Sequence, residues 1–156
     1  MFLAILAAAA AFHSVDTATA LAQPLHEASA KSGLALHVPP TIPYSFKHIH
    51  GEVTASKGSY DIELSPVKHC GGANACTVGR FAGDTSSKPF GSKSVHLHKG
   101  ITGKFKPLSC GGSCSPATIS WRQDGATYLL SLNDLPQSDR KGLKKLANAA
   151  IDAFGF

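Results

Sequence analysis

CGGSCSPATISWRQDGATYLLSL, residues Cys110 to Leu132, decides the fold class of this chain. A glycine-rich loop between two cysteines leads into Ile119 and Trp121, which alternate with Ser120 and Arg122 as on a half-buried strand. Asp124-Gly125 is a strong two-residue hairpin signal, because both central residues of a type I′ turn need positive φ. Thr127, Leu129 and Leu132 suit the returning strand. The stretch therefore predicts an antiparallel hairpin fed by a cysteine-closed loop.

Upstream, Tyr60, Ile62 and Leu64 alternate with Asp61 and Glu63, the pattern of a strand with one dry face. Tyr44 to Val53, Cys76 to Phe81, the pair Val95 and Leu97, and Ile101 to Pro107 read as further strands. GDTSSKPFGSKS, residues 83 to 94, reads as an exposed loop, and PPTIP, residues 39 to 43, as a rigid extended connection. Leu34, Leu36 and Val38 suggest one more short strand, with Ala35 and His37 on its other side. Residues 24 to 32 permit a helix that closes at Gly33. After Asp134 the period changes: Leu143, Leu146, Ala147, Ala150, Ile151 and Phe154 form one apolar helical stripe, opposite Lys141, Lys144, Lys145, Asn148 and Asp152. Asp134 with Gln137 is the expected cap. The predicted fold is α+β: an antiparallel meander sheet of about five to seven strands, with a C-terminal amphipathic helix packed on one face.

At 156 residues, 43% hydrophobic and 16% charged, the chain holds one modest core. MFLAILAAAAAF has the length and apolarity of a signal peptide, and Ala20-Leu21-Ala22 offers a cleavage site before Gln23. The expected organisation is a signal segment at 1–22 and a single secreted domain at 23–156, exported to a periplasmic or extracellular space. Removing that segment takes away Asp16 and no Lys or Arg, so the formal charge of +5 rises to +6. Such a balance favours contact with anionic surfaces. The lysines are spaced singly rather than clustered with aromatics, which argues against nucleic acid.

The four cysteines fall in two close pairs, Cys70 with Cys76 and Cys110 with Cys114, and an even count in an exported chain predicts disulfides. The local pairing closes the smallest loops. A four-thiolate zinc site is the alternative, although the spacings are not those usual for zinc.

His48 with His50, and His96 with His98, each place two imidazoles on one side of a predicted strand. If the two strands were neighbours, the four rings would converge into a site for zinc, copper or nickel. Trp121 and Tyr128 are expected to pack across the hairpin; the alternative is an aromatic wall for an apolar ligand. No nucleophile, base and orienting group stand in a recognisable pattern, and Asp61, Glu63, Asp124 and Asp134 are placed as strand exteriors, turn or cap. Cys110 and Cys114 have the wrong spacing for a redox pair.

SGLALHVPPTIPYSF, YDIEL, VHLHKGITGKF, ISWRQDGATYLLSL and LKKLANAAI occur in an order and spacing that resemble a bacterial extracytoplasmic domain of unknown function. That domain is found in envelope lipoproteins and at the outer ends of anti-sigma-factor-like membrane proteins. GKFKPLSCGGSC, Gly103 to Cys114, is similar to a loop of small secreted bacterial proteins. The resemblance spans roughly residues 28 to 152 and implies an envelope location, with no catalytic residues to carry over. The expectation is a monomeric, non-enzymatic binding or interaction module without a cofactor, recognising a protein or other envelope component. Metal binding through the HxH pairs is the alternative, and a secreted hydrolase the third.

Overall fold

The computed structural model describes residues 13–44, 48–70, 76–133 and 138–153. Its frame is a seven-stranded antiparallel sheet of β3 (His50–Ser56), β4 (Ser59–Ser65), β5 (Gly79–Asp84), β6 (Lys93–His96), β7 (Thr102–Lys106), β10 (Thr118–Gln123) and β11 (Ala126–Leu132). Two small ribbons stand apart from it. One pairs β1 (His13–Asp16) with β2 (Thr41–Tyr44), the other β8 (Ser109–Cys110) with β9 (Cys114–Ser115). The helices are α1 (Thr17–Ala20), α2 (Ala22–Ser32) and α3 (Arg140–Asp152).

The strand order is β3-β4-β5-β11-β10-β7-β6. Two meanders therefore meet in the middle: β3 to β5 runs in from one edge, and β6 to β11 runs in from the other. The link between them, residues 85–92, carries the chain from the middle of the sheet to the far edge and lies on the sheet's outer face. There Thr127 Oγ1 donates to the Ser87 carbonyl at 2.7 Å, and Ser120 Oγ accepts from the Phe90 N–H at 2.9 Å. The hairpin turns as predicted, with Asp124 at φ 49° and Gly125 at φ 82°.

The other face is the core. Tyr60, Ile62, Leu64, Phe81, Ile119, Trp121, Tyr128 and Leu130 are buried there in one cluster with Leu25 and Ala28 of α2 and the Leu143 to Ile151 stripe of α3. α2 lies on β3 and β4, so close that a Cβ on Gly51 would stand 3.0 Å from Pro24; α3 lies on β10 and β11. α2 stops at Gly33, whose φ of 69° is the left-handed conformation that glycine adopts freely. α3 begins at Arg140 and is capped by Asp139, whose carboxylate accepts from the Gly142 N–H at 2.7 Å. Such a cap contributes about 1 kcal/mol. The expected cap, Asp134 with Gln137, lies outside the described residues, as does Phe154.

Leu36, His37 and Val38 are all buried but form no strand, and His37 sits between α3 and the sheet, in contact with the Ala150 carbonyl and the Tyr128 ring. Pro43 falls in β2 opposite Ser14, an edge position that a residue without an N–H can hold. Residues 13 to 22, expected to belong to a removable leader, are packed into this structure: β1 pairs with β2 and Leu21 is fully buried. Residues 1–12 lie outside the described residues. Both cysteine pairs are closed as local disulfides, Cys70–Cys76 and Cys110–Cys114, so their thiolates are not free to hold zinc. These bonds fit a compartment that is not reducing. No helix among the described residues is long and apolar enough to cross a membrane.

Candidate functional site

The predicted imidazole pairs are held at opposite edges of the sheet, since His50 lies in β3 and His96 in β6, with five strands between. The condition for a four-histidine cluster, neighbouring strands, is not met. His48 and His50 stand with ring centroids 6.4 Å apart. His98 falls beyond β6 in a 3-10 turn, and its ring Nδ1 lies 2.6 Å from Asp152 Oδ2 at the end of α3. Its main-chain N–H donates to Asn148 Oδ1 at 2.9 Å, and Lys99 Nζ donates to the Ile151 carbonyl at 2.7 Å. This turn thus clasps the C-terminal end of α3, where cations suit the helix dipole. Among the described residues no three His, Cys, Asp or Glu side chains are grouped to hold a metal ion.

Trp121 and Tyr128 are cross-strand partners with ring centroids 5.9 Å apart, and both are fully enclosed. The register carries the row onward: Tyr128 faces Gly83 of β5, and Gly83 faces Tyr60 of β4. The two tyrosines meet above the glycine, and burial pushes the phenols of Tyr60 and Tyr128 above their ordinary pKa. His37, which the alternation placed on the wetter side of a strand, belongs to the same group. Its ring meets Tyr128 edge-on at 4.4 Å, and its Nδ1 lies 3.2 Å from the Ala150 carbonyl. Trp121 Nε1 and His37 Nε2 have no hydrogen-bond partner among the described residues. The group is packed core beneath α3.

A cleft of about 620 Å³ opens between the α1–α2 segment and β3. Glu27, His50, Glu52 and His69 stand on its walls, and Glu27 is already paired with Lys31 at 2.6 Å.

The outer face of the sheet is divided by charge. On the β3–β4 side stand Glu52, Asp61 and Glu63, lining a shallow depression. Arg80 Nε donates to Asp61 at 2.8 and 2.9 Å, and Nη2 closes a second arm of the pair. This carboxylate holds the Arg80 guanidinium above its ordinary pKa, against the effect of its partial burial. On the other side no Asp or Glu occurs between Asp84 and Asp124, and that stretch supplies β6, β7 and β10. Phe105 and Ile119 are register partners on the core side, so Lys104 and Lys106 project outward, opposite Ser120 and Thr118. Lys104 Nζ donates to Ser94 Oγ at 3.0 Å. Arg122 reaches neutral oxygens, the Ser87 carbonyl at 3.2 Å and the Gly125 carbonyl at 3.0 Å. None of Lys88, Lys104, Lys106 and Arg122 forms an ion pair among the described residues, whose pairs join Lys31 to Glu27, Arg80 to Asp61 and His98 to Asp152.

The crossing loop is fixed on this basic half. Asp84 Oδ1 accepts from Ser86 Oγ and Ser86 N at 2.6 Å and from Ser87 N at 3.2 Å. The Ser86 hydroxyl first, and these N–H groups next, hold the Asp84 carboxyl below the ordinary carboxylate range. At the loop's far end Ser120 Oγ, fully buried, accepts from Phe90 N and donates to the Phe90 carbonyl at 3.0 Å. The Phe90 side chain is left 44% exposed. Sequence reasoning took this loop as exposed and the lysines of the chain as isolated; antiparallel pairing sets Lys104, Lys106 and Arg122 on neighbouring strands, with the loop across them. Comparison with protein-family models, with curated proteins and with solved structures returns no match.

Proposed function

We propose that this chain is a non-enzymatic binding module of the bacterial envelope, exported from the cytosol, which engages an anionic partner through the basic half of its outer sheet face. The observation that carries the reading is the stretch between Asp84 and Asp124, which holds no carboxylate and builds three strands whose outward cations form no ion pair among the described residues. Unpaired cations on one face raise the local concentration of an anionic partner and speed its encounter. The two disulfides and the sequence resemblance support an extracytoplasmic setting.

Retention on an immobilised sulfated polysaccharide tests the reading. The oxidised protein should elute at clearly higher salt than a Lys104→Ala/Lys106→Ala variant, because screening removes exposed charge interactions beyond about 10 Å at 0.1 M salt. Elution of both proteins together, at low salt, would overturn it.

A further inference from the structure

We propose that the basic half of the outer face docks on an anionic lipid bilayer, its lysines meeting the head groups while Phe90 and Leu108 enter the interfacial layer; this rests on the binding-module reading above. Among the described residues three large hydrophobic side chains are exposed, Val67, Phe90 and Leu108. Two of them lie in the acid-free stretch, at 44% and 62% exposure.

The fold brings the Phe90 loop onto β7, the strand that leads to Leu108. Gly91, at φ 141°, lies flat on β7: a Cβ there would stand 2.6 Å from the Phe105 carbonyl carbon and oxygen and 3.0 Å from Lys106 N. The chain at Phe90 and Gly91 is therefore held against β7 and β10, where Ser120, the register partner of Lys104, bonds Phe90, and Leu108 follows two residues after Lys106. Lys88 precedes Phe90 in the loop, and Lys104 shares the outer face with Lys106. The loop does not have to be ordered on docking. Both main-chain groups of Phe90 are bonded to Ser120, and Ser87 is bonded to Thr127 and Arg122, so the aromatic ring is presented at low entropic cost.

A soluble polyanion would need the lysines alone. Lysines in the same acid-free stretch as an exposed Phe and Leu fit a surface that is anionic outside and apolar just beneath, since such binding combines buried apolar area with attraction to anionic lipid. The acidic half, with Glu52 and Glu63, would be repelled by the same surface, which tilts the molecule so that β6 and β7 face the lipid.

The test is co-sedimentation of the oxidised protein with phosphatidylcholine vesicles, with and without phosphatidylglycerol, at low ionic strength. Binding is expected only with phosphatidylglycerol. Lys104→Ala/Lys106→Ala should weaken it roughly 30-fold, at about fivefold for each lysine near the surface. Phe90→Ser/Leu108→Ser should weaken it roughly tenfold or more while leaving retention on the sulfated polysaccharide unchanged. Both side chains are exposed, and an unaltered Trp121 emission spectrum will show that the fold is kept. Retention on the polysaccharide without sedimentation on anionic vesicles would overturn the lipid assignment and leave the module reading standing. Failure on both supports would remove both. Undiminished vesicle binding by Phe90→Ser/Leu108→Ser would overturn the insertion of the two apolar side chains.

Discussion

Gly83 lies beneath the ring of Tyr60 so closely that a Cβ at position 83 would stand 2.5 Å from Tyr60 Cε1, a separation real contacts essentially never show. Its other neighbour, Tyr128, would be 3.1 Å from the same atom. The two aromatic rings occupy the volume that any side chain at position 83 would claim.

Gly83→Ala should therefore destabilise the protein by about 1–3 kcal/mol, the usual cost of overpacking a filled core. Gly111→Ala, where nothing lies within 4 Å, is the control and should change little. Urea unfolding midpoints measure both. Equal midpoints would mean that the tyrosine pair yields without cost.

Ser120→Ala removes the acceptor of the Phe90 N–H and the donor to its carbonyl, bonds of 2.9 and 3.0 Å. The expected loss is about 1–3 kcal/mol, the cost of leaving partly buried polar groups unpaired. Hydrogen exchange should localise the change to the Phe90 and Gly91 amides, with the β4–β5 ladder unaffected. Exchange that rises evenly through the sheet would show that Ser120 acts on the core instead.

Acid should loosen the same loop. Because its serine partners lower the folded-state pKa of Asp84, the stabilisation is complete above the unfolded-chain value of about 4 and is lost as pH falls through the lower folded value. Asp16, lowered by the Thr19 hydroxyl and N–H, loses its stabilisation in the same direction. Protection of the Ser86 and Ser87 amides, corrected for intrinsic exchange, should stay level between about pH 5 and 8 and drop below about pH 4. Asp84→Asn should flatten that drop. A drop that persists unchanged in the variant would assign it to another carboxylate.

The single tryptophan reports on the core. Trp121 is fully enclosed, so its emission should lie to the blue, resist iodide quenching and shift only on unfolding. Ready quenching in the folded protein would show an open pocket at Trp121 and Tyr128.

The hairpin, the β4 alternation, the Gly33 stop and the α3 stripe were legible because each rests on contacts a few residues apart. Cross-sheet neighbours were not. Nothing local to Phe81 and Leu130 says that they are register partners, and without that pairing the two HxH pairs could not be placed at opposite edges. His37 was misplaced for a related reason: strand alternation gives it a wet side only if the segment is a strand with one open face, and here α3 closes over it. The basic half was half legible. Its lysines are spaced singly along the chain, and the absence of any carboxylate between Asp84 and Asp124, although present in the sequence, was not read as a site, because only strand pairing brings that stretch onto one half of the sheet. Phe90 and Leu108 carried no signal, because exposure of a lone apolar residue depends on which loop crosses which face.

The place of β11 also sets the order in which this molecule can come into being. It is the last of the described strands to be synthesised and occupies the fourth of seven positions, between β5 and β10. Until residue 132 has emerged, the chain can form only two half-sheets, each with a bare inner edge and no partner for it. Closure is then a single late event that joins segments distant in sequence, and such joining is slow. The sheet of such a chain is therefore completed only once β11 enters between β5 and β10, after the strands of both half-sheets have been made.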